Sequence, residues 1–180
     1  MNEEELRKVT IGELQVLNGP ITIAEYDPKW PAFYEREAAR VRSVLGDRAL
    51  RIEHVGSTAV PGLAAKPWID MLLVIADSAD EAGYVPPLEA VGYVLRNREP
   101  DWYEHRMFRG PDTAINLHCF SSGCPEIQRM IAFRDRLRSN EADRLLYERT
   151  KRDLAARSWK YVQHYADAKS ILINEILKRS

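Results

Sequence analysis

Asp70 stands inside an otherwise apolar run, Trp68 to Ile75 (WIDMLLVI). Burying a bare carboxylate is very costly. Asp70 must therefore be paired, hydrogen-bonded, bound to a metal, or turned to solvent at the end of its strand. Thirteen positions earlier, Ser57 lies in a loop rich in Gly, Pro and Ala, Gly56 to Pro67 (GSTAVPGLAAKP). Gly56 has no Cβ and lets the backbone pass close to a ligand. Ser57 and Thr58 supply hydroxyls, and their amides suit an anion-binding concavity. A helix beginning there would add positive dipole. The chemistry these residues suit is phosphate binding by the turn, with a divalent cation, magnesium, on Asp70. The same Gly-Ser-Thr triplet also fits a plain strand-to-helix turn with a capping hydroxyl.

Other polar residues are candidates to complete such a site. Lys66 lies just before the Asp70 strand and can neutralise phosphate charge, or stay solvated. Glu99, Asp101, Glu104, His105 and Arg106 crowd a short polar stretch. There, Glu104 is a candidate metal ligand or base, and Arg106 can hold a phosphate bidentately. The alternative is a solvated hairpin with surface ion pairs. Asn116 and His118 share one face of a later strand, with His118 either a proton carrier or a hydrogen-bonded core histidine. Tyr161, Tyr165 and Lys169 recur at i, i+4 and i+8, one helical stripe. That stripe can stack on a base or simply pack against the sheet. Arg134, Arg136 and Arg138 alternate within a helix and spread around it instead of forming one patch.

The elements that must position these groups follow from periodicity. Residues 1–19 read as an arm with a short helix or loose structure. Alternation predicts strands over 20–26 and 50–55, and the apolar run predicts a strand over 68–75 covered on both faces. Asp27 and Pro28 predict a helix start, with the helix running to Leu45 and ending at Gly46. Further strands are expected over 92–96, 106–110 and 114–120, with a helix from Pro86 or Pro87. Helices are expected over 126–139, 141–156 and 160–178. The order predicts a mixed α/β or α+β fold, one sheet followed by a helical C-terminal third.

The run HVGSTAVPGLAAKPWIDMLLVI, His54 to Ile75, closely resembles the signature of the GrpB family. Further matching segments are REPDWYEHRMFRGP (98–111), INLHCFSSGCPEI (115–127), MIAFRDRLR (130–138), and the tail from Tyr147 through Lys151 to Lys169. The resemblance runs from about Pro20 through nearly the whole remaining chain. It implies a branch of the nucleotidyltransferase superfamily, with a mixed sheet flanked by helices. That superfamily's pattern carries Asp-x-Asp and a third acid on a neighbouring strand. Here the second position is Leu72, and the strand over 114–120 offers Asn116 and His118 instead of an acid. A two-metal mechanism needs several oxygen ligands to bridge its cations, and one carboxylate does not supply them.

Length and composition bound the rest. At 180 residues with 45% apolar and 29% charged side chains, one domain with a real core is expected. A net charge of −1 gives no global pull toward nucleic acid or anionic membranes. No apolar run approaches a membrane span, and the acidic start MNEEELRKVT is no secretion signal. The cytoplasm is therefore the default. Cys119 and Cys124 are expected as thiols. Two functions remain in view. One is a nucleotidyltransferase with Asp70, His118 and Glu104 as its catalytic groups. The other is a binding protein for a nucleotide or another phosphate-bearing small molecule that lacks the metal triad. Both expect one cleft holding Ser57, Asp70, Arg106 and His118.

Overall fold

The computed structural model describes residues 1–179. Five strands form one mixed sheet: β1 (Arg51–Val55), β2 (Ile69–Ile75), β3 (Val94–Glu99), β4 (His105–Arg109) and β5 (Ile115–Ser121). Their spatial order is β1-β2-β5-β4-β3. Only β2 and β5 run parallel; the other neighbours are antiparallel. A parallel pair needs a crossover. Here it passes through α3 (Val85–Ala90), β3 and β4.

Alternation along β2 divides the core. Met71 and Leu73 face α2 (Trp30–Leu45), packing with Ala38, Val41 and Leu45. Leu72 and Val74 face α4 (Pro125–Ser139), packing with Phe120, Ile127 and Ile131. Both sides are covered, which is why the run reads as uninterrupted apolar sequence. Two further helices, α5 (Glu141–Ala155) and α6 (Val162–Lys178), complete the helical third. The arginines of α4 brace this layer one by one. Arg134 reaches Glu53 and the His54 carbonyl, Arg136 reaches Asp143, and Arg138 donates to the Ala59 carbonyl.

Most expected elements are present, and the expected mixed sheet with a helical C-terminal third is the architecture found. The strand expected over 92–96 lies at Val94–Glu99, and two expectations near the N-terminus differ. Residues 20–26 form no strand; they make single pairings, Ile21 to the Ala155 carbonyl and Ala24 with Ala65. That segment threads between the α5 end and the 56–67 loop, where no extended partner runs alongside it. The long helix begins at Trp30 because Asp27 caps the preceding turn, accepting from the Lys29 amide.

The N-terminal arm is ordered against the rest. Its helix α1 (Glu3–Val9) has a capping box between Asn2 and Glu5. Leu6 is buried. The Ile11 amide then bonds the Arg96 carbonyl of β3, and Leu17 and Gly19 pair with Lys160 and Trp159. The arm thus crosses the α4-side face of the sheet from β3 to the α5–α6 junction.

Candidate anion-binding site

Asp70 projects from β2 on the α4 side, but near the strand's start and clear of Leu72, which α4 covers. β5 lies alongside in register, with Asn116 beside Asp70 and His118 beside Leu72. Asn116 Nδ2 donates to Asp70 Oδ1 at 2.7 Å, and Arg109 Nη1 donates to Asn116 Oδ1 at 2.6 Å. His118 Nε2 lies 3.6 Å from the same Asp70 oxygen. Burial pushes the Asp70 carboxyl up. The contacts with His118 and Asn116 and the charge of Lys169 outweigh that and hold it below its ordinary value.

Gly56 meets Asp70 from the other side. Its φ is +70°, and a Cβ there would stand 2.6 Å from Asp70 Oδ2. Glycine is required twice, by the backbone angle and by the carboxylate. Ser57 follows at the head of a single 3-10 turn, Ser57–Ala59, with its side chain beside Tyr147 of α5. Thr58 is different. It is buried, and its Oγ1 is shared between His54 Nε2 at 3.0 Å and the Trp68 carbonyl at 3.2 Å. The Thr58 hydroxyl therefore braces the turn and is not free for a ligand. His54, stacked on Tyr34, is held down to about 4 by burial.

A set of cations surrounds the single carboxylate. Lys66, Arg109 and Lys169 all interact electrostatically with Asp70. Burial lowers Lys169 to about 8 against the pull of Asp70, and Lys66 adds repulsion. Lys151 stands behind Lys169, bonded to the Ala64 carbonyl; burial and then Lys169 bring it to about 7. Lys169 also lies 4.3 Å from the centre of the Tyr165 ring. Lysines depressed in this way are short of counter-charge.

His118 is oriented by a chain of groups. His105 Nδ1 lies 2.6 Å from Glu99 Oε2, and His105 Nε2 lies 3.0 Å from His118 Nδ1. The two rings stack at 5.2 Å. With the Glu99 carboxylate accepting, His105 carries its proton on Nδ1 and accepts from His118 Nδ1–H. The Nε2 edge of His118 is left facing Asp70.

The structure brings Gly56, Ser57, Lys66, Asp70, His118 and Lys169 together. It separates Arg106 and Glu104 from them. Arg106 pairs with Cys119 in the sheet register and so points to the α2 side. There it bonds Glu81 at 2.5 Å and Glu104 at 3.1 Å. Strand alternation places Arg109, not Arg106, on the Asp70 face. Tyr161 precedes α6 in extended conformation, so it is not part of the helical stripe. Tyr165 is buried among Ile21, Leu154 and Ala155 as core. None of the cavities described is lined by Ser57, Asp70, Arg106 and His118 together. The largest cavity described, about 640 Å³, is lined by Lys66, Trp68 and Arg109 and roofed by the arm; Ser57 and Asp70 lie outside it. Sequence reasoning missed Arg109, Lys151 and Tyr147 as site groups. The last two stand four apart on α5, a shared helical face whose docking partner that spacing does not name.

A mixed sheet with helices on both faces and one carboxylate ringed by cations defines the class of protein. The chain belongs to the GrpB family, whose model, described as GrpB protein, matches residues 20–179. It is 64% identical over 178 residues to a UPF0157 protein of Halalkalibacterium halodurans, covering 99% of this chain and 91% of that one. A UPF0157 protein of Streptomyces coelicolor is 37% identical over 183 residues, covering 99% and 96%. The crystal structure of the conserved protein GrpB from Enterococcus faecalis matches with a TM-score of 0.76 at 30% identity, over 88% of this chain and 96% of that one. No helix among the described residues is long and apolar enough to cross a membrane. Both cysteines are free thiols.

Proposed function

We propose that the protein binds a phosphate-bearing small molecule, a nucleoside triphosphate or a near relative, at the Asp70 centre. The observation that carries this reading is the charge count: Lys66, Arg109 and Lys169 against the one carboxylate of Asp70. Such a group attracts an anion with several charges. Ser57, on the glycine turn, is placed to meet a phosphate oxygen, and Lys169 to neutralise it.

Magnesium fits here only as an ion carried in by the phosphates. Asp70 would be its one protein carboxylate, and water and phosphate oxygens would fill the remaining positions. Among the described residues no three His, Cys, Asp or Glu side chains converge to hold a metal. Leu72, where the superfamily's second acid would stand, is fully buried against α4. This favours binding over two-metal nucleotidyl transfer. Transfer keeps one supporting observation, the His118 Nε2 edge beside Asp70, which could accept a proton from an attacking group only in the form that carries none at Nε2.

A thermal-shift series tests the reading. ATP, GTP, CTP and UTP are each compared with and without magnesium, with magnesium alone as control. A ligand at 100 times its dissociation constant adds roughly 2.7 kcal/mol to stability. Asp70→Asn should remove the magnesium-dependent part of the shift, and Lys169→Met should weaken the shift under both conditions. A flat response to all four nucleotides, or a shift that neither substitution changes, overturns the proposal. Release of pyrophosphate during the same incubations would mark transfer.

A further inference from the structure

The cavity of about 640 Å³ beneath the arm has a chemistry of its own. Three cations line it, Lys66, Arg96 and Arg109, against one carboxylate, Glu13, and no ion pair joins any of the four. Lys66 and Arg109 both lie over the Trp68 ring, at 4.9 and 4.0 Å from its centre. Arg109 spends only Nη1 on Asn116. Its Nε and Nη2 donors have no partner among the described residues. The lining also has apolar and aromatic side chains, among them Leu14 and Leu17 of the arm and Tyr161.

A pocket of this size with apolar lining and a few convergent polar groups has the usual form of a small-molecule site. Partly buried cations that share one carboxylate, Asp70, and make no ion pair among the described residues call for a further anion. We propose that this cavity binds a second ligand, a small amphipathic anion. Its phosphate or carboxylate head sits between Lys66 and Arg109, and its aromatic or aliphatic body lies along Trp68, Leu14 and Leu17. Burial lowers both Lys66 and Arg109, as expected of cations awaiting a counter-charge. Arg109 joins this cavity to the Asp70 centre through Asn116, so the head of the second ligand would lie beside the phosphates of the first. The cavity shares Lys66 and Arg109 with the nucleotide reading but not Ser57, Asp70 or Lys169, which lie outside its lining, so the two can fail separately.

Isothermal titration calorimetry with three probes tests it: 1-naphthyl phosphate, neutral 1-naphthol and inorganic phosphate. The full chain should bind 1-naphthyl phosphate one to one, at least about tenfold more tightly than either half-probe. Lys66→Met should weaken that binding about tenfold, as should Leu17→Asp, which sets a solvated charge against the apolar body. Leu17 is 36% exposed, so its variant should fold, and an unchanged melting profile checks this. Lys169→Met, outside the cavity lining, should leave 1-naphthyl phosphate binding within about threefold while weakening the nucleotide shift. Two results overturn the proposal: no heat from 1-naphthyl phosphate, or binding that persists in both Lys66→Met and Leu17→Asp. Loss of binding in Lys169→Met with Lys66→Met unaffected would place the probe at the Asp70 centre and overturn it equally.

Discussion

Gly56 and Asp70 act as one unit. The glycine carries a positive φ, and its bare Cα lies where any Cβ would strike the carboxylate. Gly56→Ala would have to twist the turn or displace Asp70 from Asn116. The expected cost is about 1–3 kcal/mol of stability, read as a lower denaturation midpoint at unchanged m-value. The nucleotide shift should fall with it, because the turn and the carboxylate move together. Leu72 shows the opposite situation at the next site-facing position. It is packed under α4 with Ile127 and Ile131, in a place too dry for a second acid. The chain therefore offers one carboxylate where a two-metal site would need a pair.

At the scale of elements, alternation decides which side chains reach the site. In β4, His105 and Arg109 face it while Arg106 faces α2. Arg106 instead forms part of a structural cluster, with Glu81 bonded to Arg98 and to Arg106 at 2.6 and 2.5 Å. Arg98, then Arg106, holds Glu81 at about 2. A depressed carboxylate stabilises the fold fully above its ordinary value of 4.5, and that stability is lost as the pH falls from there toward about 2. Glu81→Gln should therefore flatten the acid limb of a stability-versus-pH curve over that window. Partial exposure of the pairs limits the effect to about 1 kcal/mol, measurable by urea unfolding at pH 3 and pH 7.

Much of this was legible in the sequence. The apolar run around Asp70, the glycine loop and the i, i+2 relation of Asn116 and His118 fix where those residues lie. The segment HRMFR could not show which of its faces turns to the site, because both sides of β4 carry a cation and the partner strand decides. Lys151 and Tyr147 were hidden for a different reason. They arrive from a helix that packs onto the loop through contacts distant in sequence, and no local period encodes that docking.

For the whole molecule, the arm before residue 20 is the least expected part. The family model leaves it out, yet it roofs the largest described cavity and lays Ile11 along β3. β3 is the last strand of the sheet. Without the arm, the Arg96 carbonyl and its neighbours would be left as an open edge, a template for another chain. A chain beginning at residue 20 should keep its sheet but self-associate, seen as a rising apparent mass by light scattering as concentration increases, while the full chain's mass stays constant. The segment that closes a binding cavity would then also be the one that keeps this protein from adding strands to itself.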